Sequence, residues 1–433
     1  MREHAVAGLE AELRQWAAMS RAGGPLEKHR SQLDAVGALF GAAVADVRVR
    51  LADGRAREVP GRVLDLHHVW DFYRTRFLLR QVRAYRRFLD VADELAWETY
   101  GPVVRLAGAR PTEPPLVGFS RAASPRAHRR GGAYHDLLPR GGIHTPEGRA
   151  AAAGLPFPVI DVPWSFGSHL PALLTVAHEA AHHVDDDCGL GAEIAERVAG
   201  AALAPDRRAH WARWAGEAFA DVCAAVLCGP AYAAVLADLL DNGDGEGAEG
   251  NVDERDFDGP HPPPGARLRL AAAAARLAGH PDAQDRDIMD IDNSEDSRYG
   301  DEADAVARTF LTGGWSGLHG LSLAGLLVPE RASADTAVPE GARRLLAGGP
   351  SRCSSTAGVL AAAALAFRCD PAAYDRRDVG ERAVSEALAL RAAGTRAGGR
   401  PEAQHDERHH TAHRAAGRTL LAALDAASGS THG

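Results

Sequence analysis

The sequence has few cysteines, almost no lysine and no long apolar run, and each shortage argues against a class of protein. Its 433 residues include five cysteines, none in C-x-x-C spacing, so a disulfide framework is not expected and a reducing compartment is favoured. Lys28 is the only lysine, and 49 basic residues against 58 acidic ones give a net charge of −9. Nucleic-acid binding through bulk positive charge is therefore not expected.

The sequence predicts neither a membrane segment nor a secretory segment. No stretch reaches the roughly 18–20 charge-free apolar residues that a membrane helix requires. The longest candidate, residues 224–240, contains Gly229, Pro230 and Asp238. Residues 1–5 carry charge and open no apolar run of signal-peptide length. We therefore expect a cytoplasmic protein with neither a membrane nor a nucleic acid as partner.

The composition and the spacing of the apolar residues indicate a folded, largely helical chain. Apolar residues make up 45% of the sequence and charged residues 25%, and the length allows two or three domains. Apolar side chains recur mostly at helical spacing, which predicts a mainly α fold with a small β-sheet, of the α+β class. The expected divisions are an N-terminal helical region (1–110), a central domain (111–280), a C-terminal helical region (281–392) and a disordered tail (393–433).

Two segments have the pattern of strands. Residues 47–51 alternate apolar and charged side chains and precede Asp53-Gly54, so we expect a β-hairpin near residues 47–59. Residues 157–163 form a short β-type run with prolines close to its two ends. Prolines in those positions favour an edge strand over a central one.

The most informative motif is His178-Glu179-x-x-His182, in a segment of helical character that begins at about residue 170. Residues four apart lie on one face of a helix, so both imidazoles can point at one ion. Glu179 sits beside that face and can reach a water molecule bound to the same ion. The spacing therefore suits a zinc site with an adjacent general base.

Two histidines leave a zinc site incomplete, and a later helix offers the third ligand. Glu217 and Asp221 are four apart within an otherwise apolar helical stretch, where unpaired carboxylates would be costly. We expect His178, His182 and Glu217 to be the ligands of one Zn²⁺ ion. Asp221 is expected to accept a hydrogen bond from the free ring nitrogen of a ligand histidine, most readily His178.

These motifs resemble those of a known group. H-E-x-x-H followed by Gly216-Glu217-Ala218-Phe219-Ala220-Asp221 is similar to the pattern of the gluzincin metallopeptidases, the thermolysin-like class. The 35 positions from His182 to Glu217 form a longer spacer than in thermolysin-like enzymes. The resemblance covers about residues 157–230 and implies a zincin-like catalytic core in the central domain, flanked by helical regions.

A weaker resemblance extends to about residue 270. The run His261-Pro262-Pro263-Pro264-Gly265-Ala266-Arg267-Leu268 is similar to the H-P-x-x-x-x-R-[IL] element of CAAX-prenyl-protease-type zincins. The resemblance implies that His261 or Arg267 stabilises the oxyanion of the reaction. The chain lacks the membrane helices of that family, which argues against prenylated or membrane-embedded substrates.

The expected function is therefore that of a soluble zinc metallopeptidase acting on a peptide or protein substrate. A metal-bound water would attack the peptide bond, with Glu179 as general base. An extended substrate is expected to lie along the strand near residues 159–162. Mn²⁺ or Co²⁺ could occupy the same site. The alternative is a non-catalytic, metal-stabilised helical interaction module, for which Asp221 or His261 would supply a fourth protein ligand.

Overall fold

The computed structural model describes residues 2–107 except 22, 25 and 58, and then 113–128, 156–241, 259–280, 297–327, 338–390, 411–420 and 422. Within these residues the chain is mainly α-helical with one small sheet, which confirms the predicted fold class. In chain order the helices are α1 (Arg2–Met19), α2 (Arg30–Ala52), α3 (Val59–Leu79), α4 (Arg83–Ala107), α5 (Thr175–Cys188), α6 (Gly191–Ala199), α7 (Arg208–Cys228), α8 (Pro230–Asp241), α9 (Pro264–Leu277), α10 (Ser297–Leu311), α11 (Leu323–Leu327), α12 (Val338–Leu346), α13 (Thr356–Cys369), α14 (Pro371–Arg376), α15 (Val379–Leu390) and α16 (411–420). The strands are β1 (Leu116–Ser120), β2 (Arg126–His128) and β3 (Val159–Pro163).

The hairpin predicted near residues 47–59 is wrong. Helix α2 continues to Ala52, and α3 begins at Val59. The buried side chains of α2 include Val36, Phe40, Val44 and Val47, which are spaced by four, four and three residues. Burial of this helical face against the neighbouring helices overrides the period-two alternation in its last turns.

The sheet has the order β1-β3-β2, so β3 is its central strand and the predicted edge position is wrong. Strand β1 pairs with β3 in parallel, and β2 pairs with it in the antiparallel direction. The prolines do not prevent this arrangement because Pro158 lies just before the strand and Pro163 is its last residue. Strand β2 forms an edge instead, next to α5.

Two hydrophobic clusters pack on opposite faces of this sheet. The larger cluster extends from Phe88 on α4 to Ala387 on α15 and includes Ile160 of β3. The smaller cluster joins α1, α2 and α3 and includes Val159 of β3. Because neighbouring residues of a strand face opposite sides, β3 contributes to both clusters.

The C-terminal tail contains an ordered element. Of the predicted disordered tail, 393–433, residues 411–420 form helix α16, and the rest apart from 422 lies outside the described residues. Leu420 is buried in the smaller cluster. No helix in the described part of the chain combines the length and the apolar character needed to cross a membrane.

Candidate metal centre

The two motif histidines lie on α5, which follows β3 after two short 3-10 helices. His178 and His182 are buried, and the centroids of their rings are 4.8 Å apart. The next residue, His183, points elsewhere: its Nε2 lies 3.0 Å from the carbonyl oxygen of Val159 and so ties α5 to the sheet. Helix α5 ends at Gly189, whose φ of 65° is a left-handed conformation that glycine adopts readily.

Glu217 on α7 completes a group of three possible ligands. Its Oε2 lies 3.2 Å from Nε2 of His178 and 3.5 Å from Nε2 of His182, and the two Nε2 atoms are 3.2 Å apart. Ligand atoms bound at about 2.0–2.1 Å around a tetrahedral zinc ion are separated by about 3.3–3.4 Å. The three atoms therefore fit three corners of a zinc site, and two imidazoles with one carboxylate are donors that zinc accepts.

The charges of this group depend on one another. Burial alone would lower the pKa of His178, but the Asp221 and Glu217 carboxylates raise it to about 10. Burial would raise the pKa of Glu217, but His178 and His182 hold it well below its ordinary range. Glu217 is thus ionised and directed at two imidazoles, an arrangement that favours a positive charge between them.

Asp221 lies one turn beyond Glu217 and contacts the far side of the His178 ring. The predicted contact is present, with Oδ1 of Asp221 2.8 Å from Nδ1 of His178. Arg267 donates from Nε and from Nη2 to the two Asp221 oxygens, each at 2.8 Å. Burial would raise the pKa of Asp221, but Arg267 and His178 keep it well below its ordinary range. Asp221 is therefore an ionised acceptor, and Arg267 is directed at it.

His261 lies in the segment that precedes α9 and is the more accessible of the two predicted oxyanion donors. Its side chain is 53% exposed, and its Nε2 is 3.4 Å from Oε2 of Glu217. The segment is anchored by Trp214, whose indole N–H donates to the carbonyl oxygen of Gly259 at 3.0 Å. Arg267, by contrast, has its guanidinium engaged by Asp221.

Glu179 is directed from α5 toward the edge strand. Its Oε2 accepts the backbone N–H of Ala127 on β2 at 2.6 Å, and its side chain is buried. The sequence did not single out Ala127, because residues 100–155 are rich in glycine, proline and arginine and predicted only loops with short strands. The hydrogen bond attaches the carboxylate of the predicted general base to an edge strand.

A second group of possible ligands is unsuited to a metal ion. His29, Asp90 and Asp93 also lie within 4.8 Å of one another. Nζ of Lys28 lies 3.6 Å from Asp93, and Arg80 donates to Asp93 at 2.8 Å. Arg80 also donates from Nε to Nε2 of His29 at 2.8 Å, which occupies the lone pair that a metal would need. This group is an ion-pair network that already contains its cations.

Comparisons of the chain with protein-family models, with curated proteins and with solved structures give no match. A function is therefore assigned from the geometry of the metal group. That geometry consists of three converging ligand atoms, the contact of Asp221 with Nδ1 of His178 and a carboxylate at an edge strand.

Proposed function

We propose that the protein is a zinc-dependent metallopeptidase of the gluzincin type, acting on a peptide or protein substrate. The observation that carries this proposal is the convergence of the ligand atoms of His178, His182 and Glu217, with separations of 3.2–3.5 Å. Two ligands come from an H-E-x-x-H helix and the third from a later helix, as the chemistry of such peptidases requires. Mn²⁺ or Co²⁺ would be accepted by the same donors.

The number of protein ligands supports a catalytic centre over a structural one. Structural zinc sites usually have four protein ligands, whereas catalytic sites have three. Asp221 is directed at the Nδ1 side of His178, and His261 does not belong to the group of atoms within 4.8 Å of one another. These positions support a three-ligand centre over the four-ligand site that the alternative, a non-catalytic interaction module, would use.

The residues around the group have complementary roles in this proposal. When bound, zinc would polarise the scissile carbonyl and lower the pKa of a water molecule. Glu179 would accept the proton of that water and deliver it to the leaving amine. Strand β2, rather than β3, offers an edge along which an extended substrate can bind beside Glu179. His261 would donate an N–H to the developing oxyanion.

A cytoplasmic location accompanies this proposal. All five cysteines are free, as is usual in a reducing compartment. A search for substrates therefore begins with peptides derived from cytoplasmic proteins.

Metal analysis tests the ligand assignment. We expect the zinc-reconstituted protein to retain about one zinc ion per chain and Glu217→Ala to retain much less, because one of three protein ligands is lost. Glu196→Ala, at an exposed position of α6, is the control and should retain zinc as the unmodified protein does. Equal zinc content in the protein and in Glu217→Ala would remove Glu217 from the centre. A protein that binds no zinc would overturn the proposal.

Cleavage of a proteome-derived peptide library tests the proposed general base. Glu179→Gln should retain zinc and the fold but reduce the cleavage rate by about 10²–10⁴-fold, since the amide cannot accept the proton. Glu196→Gln is the matched control and should cleave at the unmodified rate. Undiminished cleavage by Glu179→Gln would show that another group is the base, and no cleavage by the zinc-loaded protein would favour the interaction module.

A further inference from the structure

Tyr232 reaches the metal centre from a third helix. It lies on the first turn of α8 and is 1% exposed. Helix α8 begins directly after Gly229, which ends α7 with a φ of 63° and at which a side chain would crowd the ring of His280. The sharp turn returns Tyr232 to α7, where its hydroxyl donates to Oδ1 of Asp221 at 2.6 Å.

Tyr232 is one of three residues that contact the Asp221 carboxylate. Its Oδ1 meets Nδ1 of His178 at 2.8 Å, the Tyr232 hydroxyl at 2.6 Å and Nη2 of Arg267 at 2.8 Å. Its Oδ2 accepts from Nε of Arg267 at 2.8 Å. Three residues thus hold the carboxylate, with three contacts at Oδ1 and one at Oδ2. The orientation of Asp221 thus depends on Tyr232 as well as on Arg267.

The same contacts determine which nitrogen of His178 carries a proton. Nδ1 faces Oδ1 of Asp221 and also lies 3.3 Å from the hydroxyl oxygen of Tyr232. Because the Tyr232 hydroxyl donates its hydrogen bond to Asp221, its oxygen can only accept a hydrogen bond from Nδ1 of His178. Both neighbours of Nδ1 therefore require a proton on that nitrogen. With a proton held on Nδ1, Nε2 is the nitrogen that can present a lone pair to an ion, on the side where Glu217 and His182 lie.

We propose that Tyr232 is a positioning residue of the metal centre, which holds Asp221 and the Nδ1–H form of His178 so that Nε2 is presented to the ion. This inference rests on the proposed zinc site and adds to it a residue that no motif indicated. Hydrogen-bond partners of ligand histidines commonly change metal affinity by 10–100-fold when they are removed. Tyr232 acts through Asp221, so the lower end of that range is expected.

The test is a zinc dissociation constant, measured by competition with a chromophoric chelator, for the full-length protein and its variants. Tyr232→Phe removes only the hydroxyl and should weaken zinc binding about 10-fold. The matched control is Tyr374→Phe, because Tyr374 is also buried and its hydroxyl has no hydrogen-bond partner among the described residues. Zinc binding of this control should be unchanged.

A double-mutant cycle separates positioning from a merely structural role. If Tyr232 acts through Asp221, adding Tyr232→Phe to Asp221→Ala should weaken zinc binding no further. A structural role would instead lower the unfolding temperature of the metal-free protein and leave the zinc affinity unchanged. Binding by Tyr232→Phe within twofold of the unmodified protein would overturn the inference, whereas failure of the unmodified protein to bind zinc would overturn the proposed function.

A second measurement needs no substitution at Tyr232. Long-range ¹H–¹⁵N spectra distinguish the two histidine tautomers, and the spectrum of a His178→Asn variant identifies the signals of His178. We expect the zinc-loaded protein to have the His178 proton on Nδ1. A proton on Nε2 would contradict the inference even if Tyr232→Phe did not fold.

Discussion

Asp221 and Arg267 form a buried ion pair in which each charge depends on the other. Their side chains are 0% and 11% exposed, and two parallel hydrogen bonds join them. Because Arg267 neutralises Asp221, Glu217 is the only anionic ligand of the proposed centre. A divalent ion bound there would keep a net positive charge, which is what a Lewis acid requires.

Loss of Arg267 should therefore destabilise the folded protein. We expect Arg267→Gln to lower the free energy of unfolding by about 3–5 kcal/mol, since it leaves the Asp221 charge buried without its partner. Arg276→Gln, on the same helix α9, removes an exposed pair with Asp304 and should cost no more than about 1 kcal/mol. Urea unfolding of both variants checks the contrast. Equal, small losses would mean that solvent or another group compensates Asp221.

The sequence could predict those site residues whose positions follow from helical spacing. His178 and His182 are four apart, as are Glu217 and Asp221, so each pair shares a helical face whatever the tertiary fold. Tyr232 could not be found in this way, because its contact with Asp221 depends on the turn between two helices. Its sequence context is an ordinary apolar helix with no motif.

Helix α7 carries three residues that position the proposed centre. Trp214, Glu217 and Asp221 follow one another at spacings of three and four, so they lie on one face. Trp214 anchors the carbonyl of Gly259, and Asp221 anchors Arg267. The segment that carries His261 is thus attached to α7 on both sides of that residue, which accounts for the position of His261 beside Glu217.

Removing the Trp214 anchor should loosen this segment without affecting zinc. Trp214→Phe loses one hydrogen bond, a net contribution of about 1 kcal/mol, so the segment should be more mobile and modification of His261 by diethyl pyrocarbonate should be faster. The control is Trp211→Phe on the same helix, which loses a hydrogen bond to Glu302 instead. Mass spectrometry measures the modification at His261. An equal rate in both variants would contradict the role given to Trp214.

Glu193 links α6 to the turn after α10, and its contribution to the stability of the fold should depend on pH. Its carboxylate accepts the backbone N–H groups of Ser316 and Gly317. Burial alone would raise the pKa of Glu193, but Gly317, Ser316 and Arg197 lower it to about 2. A carboxyl with a lowered folded-state pKa stabilises the protein above its unfolded-state pKa, near 4.5, and loses this effect as the pH falls toward 2.

Glu193→Gln should accordingly lower the unfolding temperature at pH 7. The difference from the unmodified protein should shrink as the pH is lowered from 5 toward 3, where the unfolded state binds a proton that the folded state resists. Thermal unfolding, monitored by circular dichroism at several pH values, measures this difference in unfolding temperature. The neighbouring Glu196→Gln should produce no such trend, and a difference independent of pH would show that the charge of Glu193 is not involved.

Secondary structure could be predicted where one sequence pattern dominates. The prediction was wrong where two patterns compete. Residues 47–51 satisfy a period-two alternation, yet Val44 and Val47 continue the buried face of α2, and the packing of that face prevails. Strand β3 was recognised, but its central position was not, because it depends on β2. That strand is three residues long and too short to have a sequence signature.

The two hydrophobic clusters are joined by the sheet, and the C-terminal helix packs on the smaller cluster. Arg76 on α3 donates from Nε to Oδ1 of Asp161 on β3 at 2.9 Å, which fastens the N-terminal helices to the sheet. Helix α16, nearly 400 residues after α1 in the chain, packs on α2. Composition alone predicted a disordered tail here, because the few apolar residues of α16 are buried only when α2 provides a surface.

This packing depends on Gly417. A Cβ at that position would overlap the carbonyl oxygen of Leu39, so α16 lies too close to α2 for any larger residue. Gly417→Val should displace the helix and lower the free energy of unfolding by about 1–3 kcal/mol, as overpacking does. Ala415→Val, at an exposed position of the same helix, should cost little. Urea unfolding distinguishes the two, and equal stability of the variants would contradict the close packing of α16 on the smaller cluster.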